Sequence, residues 1–162
     1  RLQHGLTPWR RRASFGLAPL WPVAAAVWSE RWEPQERRLR ALAASLRGDH
    51  ACVLEGGAYD RWDLEVRGGI LGAARLVMGA EDHAGGKQLL RIRWWPVIPV
   101  RGPLIALAFA GLALAASQAF LWTDGALLAL GAVLPVVNII EHCMAGMATI
   151  RRAIERLHAG GW

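Results

Sequence analysis

Asn138, Glu141 and His142 are the residues whose types and spacing could do chemistry in this chain. Separations of three and four put them on one face of a helix. They stand in an apolar stretch, Ala126 to Met147, that Glu141-His142 interrupts. Ionisable groups inside a membrane span are costly and usually serve a purpose. Here the purpose could be a proton or substrate contact, or packing against a partner helix. Depth favours a plainer role. Glu141 lies roughly 22 Å along the helix from Ala126, near the end of a span. There a carboxylate can pair with Arg151 or Arg152, reach a soluble domain or touch water.

A second group of acids is Asp63, Glu65 and Glu81, with Asp60, Asp82 and His83 beside them. Paired carboxylates perform acid–base work or bind metals. Nothing in their spacing fixes a geometry. Their alternation with arginines instead fits cross-strand pairing on a solvated sheet face. The sequence holds no HExxH, no CxxC pair and no Asp-rich calcium loop. The glycine pairs 56–57, 68–69 and 85–86 precede no GK[ST] helix, and Ser14, Ser29, Ser45 and Ser117 sit in no nucleophile elbow. No catalytic residue, metal site or cofactor is expected.

The elements that must position these residues are dominated by two apolar runs. Leu104 to Trp122 carries no charge and spans roughly 28 Å as a helix, close to the thickness of a bilayer core. The second runs from Ala126 to Ile140, after the short polar break Thr123-Asp124-Gly125. Together they predict a transmembrane hairpin over 101–150. Gly111, Ala115 and Ala119 form a small-residue face on which helices can approach closely.

The 162 residues include 19 Lys and Arg against 13 Asp and Glu, a net charge of +6. This excess flanks the apolar segments, the pattern of cytoplasmic membrane loops rather than of nucleic-acid binding. Arg101 precedes the first run, Arg151, Arg152 and Arg156 follow the second, and Asp124 marks the turn. Both ends of the hairpin should therefore face the cytoplasm. Arg10, Arg11, Arg12, Arg101, Arg151 and Arg152 are the candidates for anionic headgroup contact. The two cysteines, Cys52 and Cys143, make no disulfide framework. No signal peptide is recognisable. The chain begins at Arg1 rather than Met, as a fragment, a processed form or the tail of a longer polypeptide would.

Residues 1–29 read as a basic segment followed by Pro-interrupted apolar residues, Leu17 to Trp28, lying at a membrane interface or packed as a loop on the soluble domain. Residues 30–47 read as an amphipathic helix with Pro34 in its first turn and Leu39, Leu42, Ala43 and Leu46 as its stripe; Arg37, Arg38 and Arg40 fall largely outside it. From Ala51 the period becomes two. Trp62, Leu64 and Val66 alternate with charges, as do Leu90, Ile92 and Trp94, and glycine-bearing turns separate the runs. A four-stranded antiparallel meander over 30–100, covered by the helix, follows. Trp94-Trp95-Pro96-Val97-Ile98-Pro99 reads as an aromatic belt beside the bilayer. Residues 151–162 read as a short basic interfacial helix and tail.

The run Tyr59-Asp60-Arg61-Trp62-Asp63-Leu64-Glu65-Val66-Arg67-Gly68-Gly69, continued by Glu81-Asp82-His83 and Gln88-Leu89-Leu90-Arg91, resembles the membrane-proximal carboxy-terminal region of some large bacterial family-2 glycosyltransferases and related envelope-glycan proteins. The resemblance covers roughly residues 28 to 100. That family's transferase domain carries Asp-rich nucleotide-sugar and metal motifs on an α/β fold, and none of them stands in this chain. The resemblance thus implies an accessory or tail module with no catalytic residue to carry over.

The expectation is an α+β membrane protein: a small cytoplasmic antiparallel β-meander covered by a helix, then a two-helix transmembrane hairpin. It would act as a non-catalytic module, anchoring a larger assembly for envelope-glycan synthesis or export to the inner membrane. Its partners would be the bilayer, a larger protein or further copies of the chain, and no nucleic acid. The rival expectation is a subunit of a transporter or ATP-driven exporter, with Glu141 and His142 lining a path.

Overall fold

The computed structural model describes residues 20–57, 59–119 and 122–160. The alternating runs form a five-stranded antiparallel sheet in the order β1-β5-β4-β3-β2. Its strands are β1 (Val23–Ser29), β2 (Cys52–Glu55), β3 (Leu64–Arg67), β4 (Ala73–His83) and β5 (Lys87–Val97). Three helices join it: α1 (Gln35–Gly48), α2 (Arg101–Gln118) and α3 (Trp122–Ala159). The expected meander is β2 to β5. The fifth strand, β1, corrects the reading of residues 23–28 as part of an interfacial segment or loop; residues 17–19 of that segment lie outside the described residues. It pairs with β5 from Val23 opposite Trp94 to Ser29 opposite Gln88.

Period-two alternation puts Leu64, Val66, Leu76, Met78, Leu90, Ile92 and Trp94 on one buried face. Each fully buried aliphatic side chain there contributes about 1.5–3 kcal/mol relative to exposure. Trp94 is therefore a core residue, which removes it from the expected aromatic belt. The β4–β5 turn is closed by Gly85 and Gly86, both at positive φ (81° and 74°), where a Cβ would be strained.

Two helices cover this face. α1 contributes Leu42, Ala43 and Leu46, as its stripe predicts. It ends through His50 at φ 59°, the left-handed position that usually follows a helix. The other cover is the carboxy-terminal part of α3, whose Met147, Ile150, Ala153 and Ile154 join the same core. This corrects two boundaries. The second apolar run and the expected short helix at 151–162 are one continuous helix as far as Ala159, and the apolar side chains of that last portion pack on the sheet. The polar break also shifts. Thr123-Asp124-Gly125 is the first turn of α3, not the loop. Asp124 is favoured there by the positive end of the helix dipole.

Candidate functional site: an apolar hairpin seated on the sheet

α2 and α3 are each long and apolar enough to cross a membrane. α2 has 18 residues, and Gly102 is the buried one among them. Leu104, Leu107, Leu112 and Leu114 of α2 and Leu127, Leu130, Val133, Leu134, Val136 and Val137 of α3 are all exposed. A run of neighbouring exposed apolar side chains of this kind marks a surface that meets lipid or another protein. The two helices meet through small residues of α3. A Cβ on Gly131 would lie 3.0 Å from the Phe109 ring, and one on Gly125 would lie 3.4 Å from the Ala113 carbonyl oxygen. Gly111 has nothing within 4 Å of its Cβ position. The small-residue face expected to bring helices together thus points away from α3, and Gly125 and Gly131 do that work.

Pro135 lies inside α3. It deprives the Gly131 carbonyl of its usual N–H donor. Asn138 donates its side-chain amide to the Leu134 carbonyl (2.9 Å), so an exposed polar group is partly satisfied within its own helix.

The hairpin is fixed to the sheet by a close seam. α3 passes over the β3–β4 connection, where Gly68, Gly69 and Gly72 allow backbone contact. A Cβ on Gly68 would lie 1.9 Å from the His142 carbonyl oxygen, one on Gly69 2.3 Å from the His142 ring, and one on Gly72 2.7 Å from the Cys143 nitrogen. The helix side of the seam is equally small at Gly146, whose Cβ would meet the Val66 carbonyl oxygen at 3.1 Å. The Leu71 N–H donates to His142 Nδ1 (3.3 Å). Gly102, at the start of α2, sits against Ile139. Both helices thus leave the sheet at one level.

The three residues singled out on α3 separate in role. Asn138 is exposed and bonded to its own helix, Glu141 is exposed, and His142 is wedged against the glycines of the β3–β4 connection. Of the proposed headgroup contacts, Arg10, Arg11 and Arg12 lie outside the described residues. Arg101 is exposed where α2 begins. Arg151 pairs with Glu155 (2.9 Å), and Arg152 Nη2 donates to Thr149 Oγ1 (3.2 Å). Both lie roughly 14 Å farther along α3 than His142, beside the sheet.

The acids of the meander are each engaged. Glu65 accepts from Arg75 (2.8 Å) and lies 3.5 Å from Arg67. Arg75 also stacks over the Trp62 ring at 4.9 Å. Asp63 accepts from the Met78 N–H (2.7 Å), Asp82 from Gln88 (2.9 Å), and Glu81 pairs with Arg91 (2.8 Å). This is a cross-strand charge lattice with a structural occupation for every carboxylate in it. Among the described residues, no group of three or more His, Cys, Asp or Glu could hold a metal ion.

One buried site escaped the sequence reading. Arg38 is fully buried. Its Nε donates to Gln88 Oε1 (3.0 Å), and its Nη2 donates to Ser29 Oγ (2.8 Å) and to the Arg31 carbonyl (2.6 Å). Burial pushes its pKa down from the ordinary value, and nearby Glu33 pushes it back up. The available signal was its place four residues before Leu42, on an extension of the apolar stripe. At the far end of α1, Asp49 takes a two-pronged bond from Arg156 of α3. That bond holds the Asp49 carboxyl below the usual carboxylate range.

No family model, no curated protein and no solved structure matches this chain.

Proposed function

We propose that this chain is a non-catalytic anchoring module that fixes a larger assembly to the cytoplasmic (inner) membrane. Its two spans cross the bilayer and its sheet domain lies in the cytoplasm. One observation carries the reading. The α2–α3 hairpin exposes apolar side chains all round, while α3 continues into the core of the sheet domain. A helix that is apolar on every side belongs in lipid or in a large core. Because α3 is shared, the domain cannot swing freely on a linker.

The orientation rests on Arg101, Arg151, Arg152 and Arg156 at the sheet end against Asp124 at the turn. The assembly we favour makes or exports envelope glycan or lipid-linked glycan, on the resemblance of residues 28 to 100. The uncovered sheet face, with its ordered Arg–Glu lattice, is the surface offered to the protein partner.

Two measurements test this. After a carbonate wash the chain should stay in the membrane pellet, and recovery in the supernatant would refute anchoring. Native Cys52 is exposed and Cys143 buried. A membrane-impermeant maleimide should label Cys52 only once the cytoplasmic side is opened. Labelling from the outside would reverse the orientation. Copurification with a glycan synthase would support the favoured assembly, whereas copurification with an ATPase would support the exporter instead.

A further inference from the structure

The register of the sheet collects three separate segments at one end. Val23 opposes Trp94, Arg67 opposes Ala73, and Ala73 opposes Val97. The residues just before β1, the β3–β4 connection and the link from β5 to α2 therefore share an end. It is the end where α2 starts and α3 arrives, since Gly102 meets Ile139 and Gly69 meets His142 there.

Large apolar side chains stand out from all three segments. Trp21 is 64% exposed, Ile70 82%, Ile98 56% and Val100 72%. A hairpin tip facing water ordinarily carries polar turn residues, yet here the tip reads Gly68-Gly69-Ile70-Leu71-Gly72. Leu71 turns its N–H to His142, while Ile70 projects from the surface. None of these segments contains Asp or Glu; Arg67 at the end of β3, which lies 3.5 Å from Glu65 yet stays half exposed, and Arg101 at the start of α2 flank them. The fourth connection at this end contains Asp49, which Arg156 occupies.

The opposite end has the reverse character. Its connections carry Glu30, Glu33, Asp60 and Asp63 beside Arg31 and Arg61, with Glu55 and Asp82 near the strand ends and Lys87 paired to Glu30 (3.2 Å), so acids outnumber bases there by six to three. Exposed aromatics occur there too, at Trp32 and Tyr59, but among carboxylates that an anionic surface would repel.

We propose that Trp21, Ile70, Ile98 and Val100 form a rim that enters the headgroup–acyl boundary of the same bilayer, with Arg67 and Arg101 meeting lipid phosphates. The proposal rests on the anchoring reading and extends it. The sheet domain stands on the membrane on three loops, at a fixed height, with its acidic end pointing away. Continuity selects lipid as the occupant, because the rim adjoins the apolar hairpin at the level where the helices leave the sheet. The charge contrast between the two ends favours the same side.

The test uses the full chain in vesicles of phosphatidylcholine and phosphatidylglycerol containing headgroup-level or acyl-chain spin-labelled lipids. An environment-sensitive fluorophore is placed, in a Cys52→Ser background, at Ile70→Cys, Tyr59→Cys or Leu130→Cys. All three side chains are exposed, so the fold has no packing to lose at the label. The expected result is several-fold stronger lipid quenching and bluer emission at 70 than at 59, with 130 quenched most by acyl-chain labels. If 130 is quenched and 70 matches 59, the rim is refuted and anchoring stands. If 130 is also open to aqueous quencher, the anchoring reading falls and takes the rim with it.

Discussion

The two ends of α3 are one helix with two kinds of surface. From Thr123 to Ile140 its apolar residues point in every direction, and Leu127, Leu130, Val133 and Leu134 are all exposed. From Cys143 onward they narrow to one stripe, Cys143, Met147, Ile150 and Ile154, all buried, while Arg151, Arg152 and Glu155 take the other side. Both ends are rich in apolar side chains, but only the second is amphipathic. The difference is angular distribution: a stripe needs one partner surface, and a full cylinder needs a surrounding medium. His142 and the β3–β4 glycines mark the changeover.

That contrast can be broken most severely at the seam. Gly68→Val should destabilise the sheet domain by about 3 kcal/mol or more, because its Cβ would collide with helix backbone that cannot yield. Denaturant melts in detergent would report a lost or greatly weakened transition. A surviving wild-type midpoint would mean that α3 does not sit on the hairpin as described.

Next in size is the pair Ile154→Ala and Leu130→Ala. The first opens a cavity in a shared core and should cost about 2–5 kcal/mol. The second should leave the sheet domain's stability within about 0.5 kcal/mol. Equal costs at both positions would erase the distinction between the two ends. Leu130→Lys sharpens it from the other direction. Membrane insertion should weaken by about 3 kcal/mol, read as glycosylation-tag partitioning, with the sheet domain's melt unchanged.

Arg38→Ala should cost about 2–3 kcal/mol, because it removes charge-assisted bonds to buried Ser29, Gln88 and the Arg31 carbonyl. Arg40→Ala, on the exposed side of α1, should be nearly silent in the same melt. The smallest effect is in pH. The Asp49 carboxyl is held below its ordinary value of 3.8 by the Arg156 bond. Its contribution is therefore complete above the unfolded value and is lost as pH falls through the folded one. Stability from this contact should be flat between about pH 5 and 8 and decline only below about 4. Asp49→Asn should remove that acid limb when melts are compared across pH.

The meander strands were legible because their alternation is clean, and α1 was legible from Leu39, Leu42 and Leu46. β1 was obscured because Ala24, Ala25 and Ala26 give no contrast between faces, and Pro22 with Trp28 imitates an interfacial segment. The alternation of β5 already set Trp94 with Leu90 and Ile92, against Arg91, Arg93 and Trp95, and only the clustering of Trp94 with Trp95 and the prolines imitated a membrane belt. The position of Arg38 on the stripe was available, but its partners were not, since Ser29 and Gln88 come opposite each other only when β1 pairs with β5.

Composition and spacing by themselves determined that two apolar helices follow an antiparallel sheet, because period and charge are local properties that each segment carries alone. Only the tertiary structure decided that α3 runs unbroken from hairpin to core, that His142 is a wedge against three glycines, and that the segments holding Ile70, Ile98 and Trp21 meet at one end of the sheet. Those are relations between segments far apart in the chain, set by strand register and by the space a missing Cβ leaves for a neighbouring backbone.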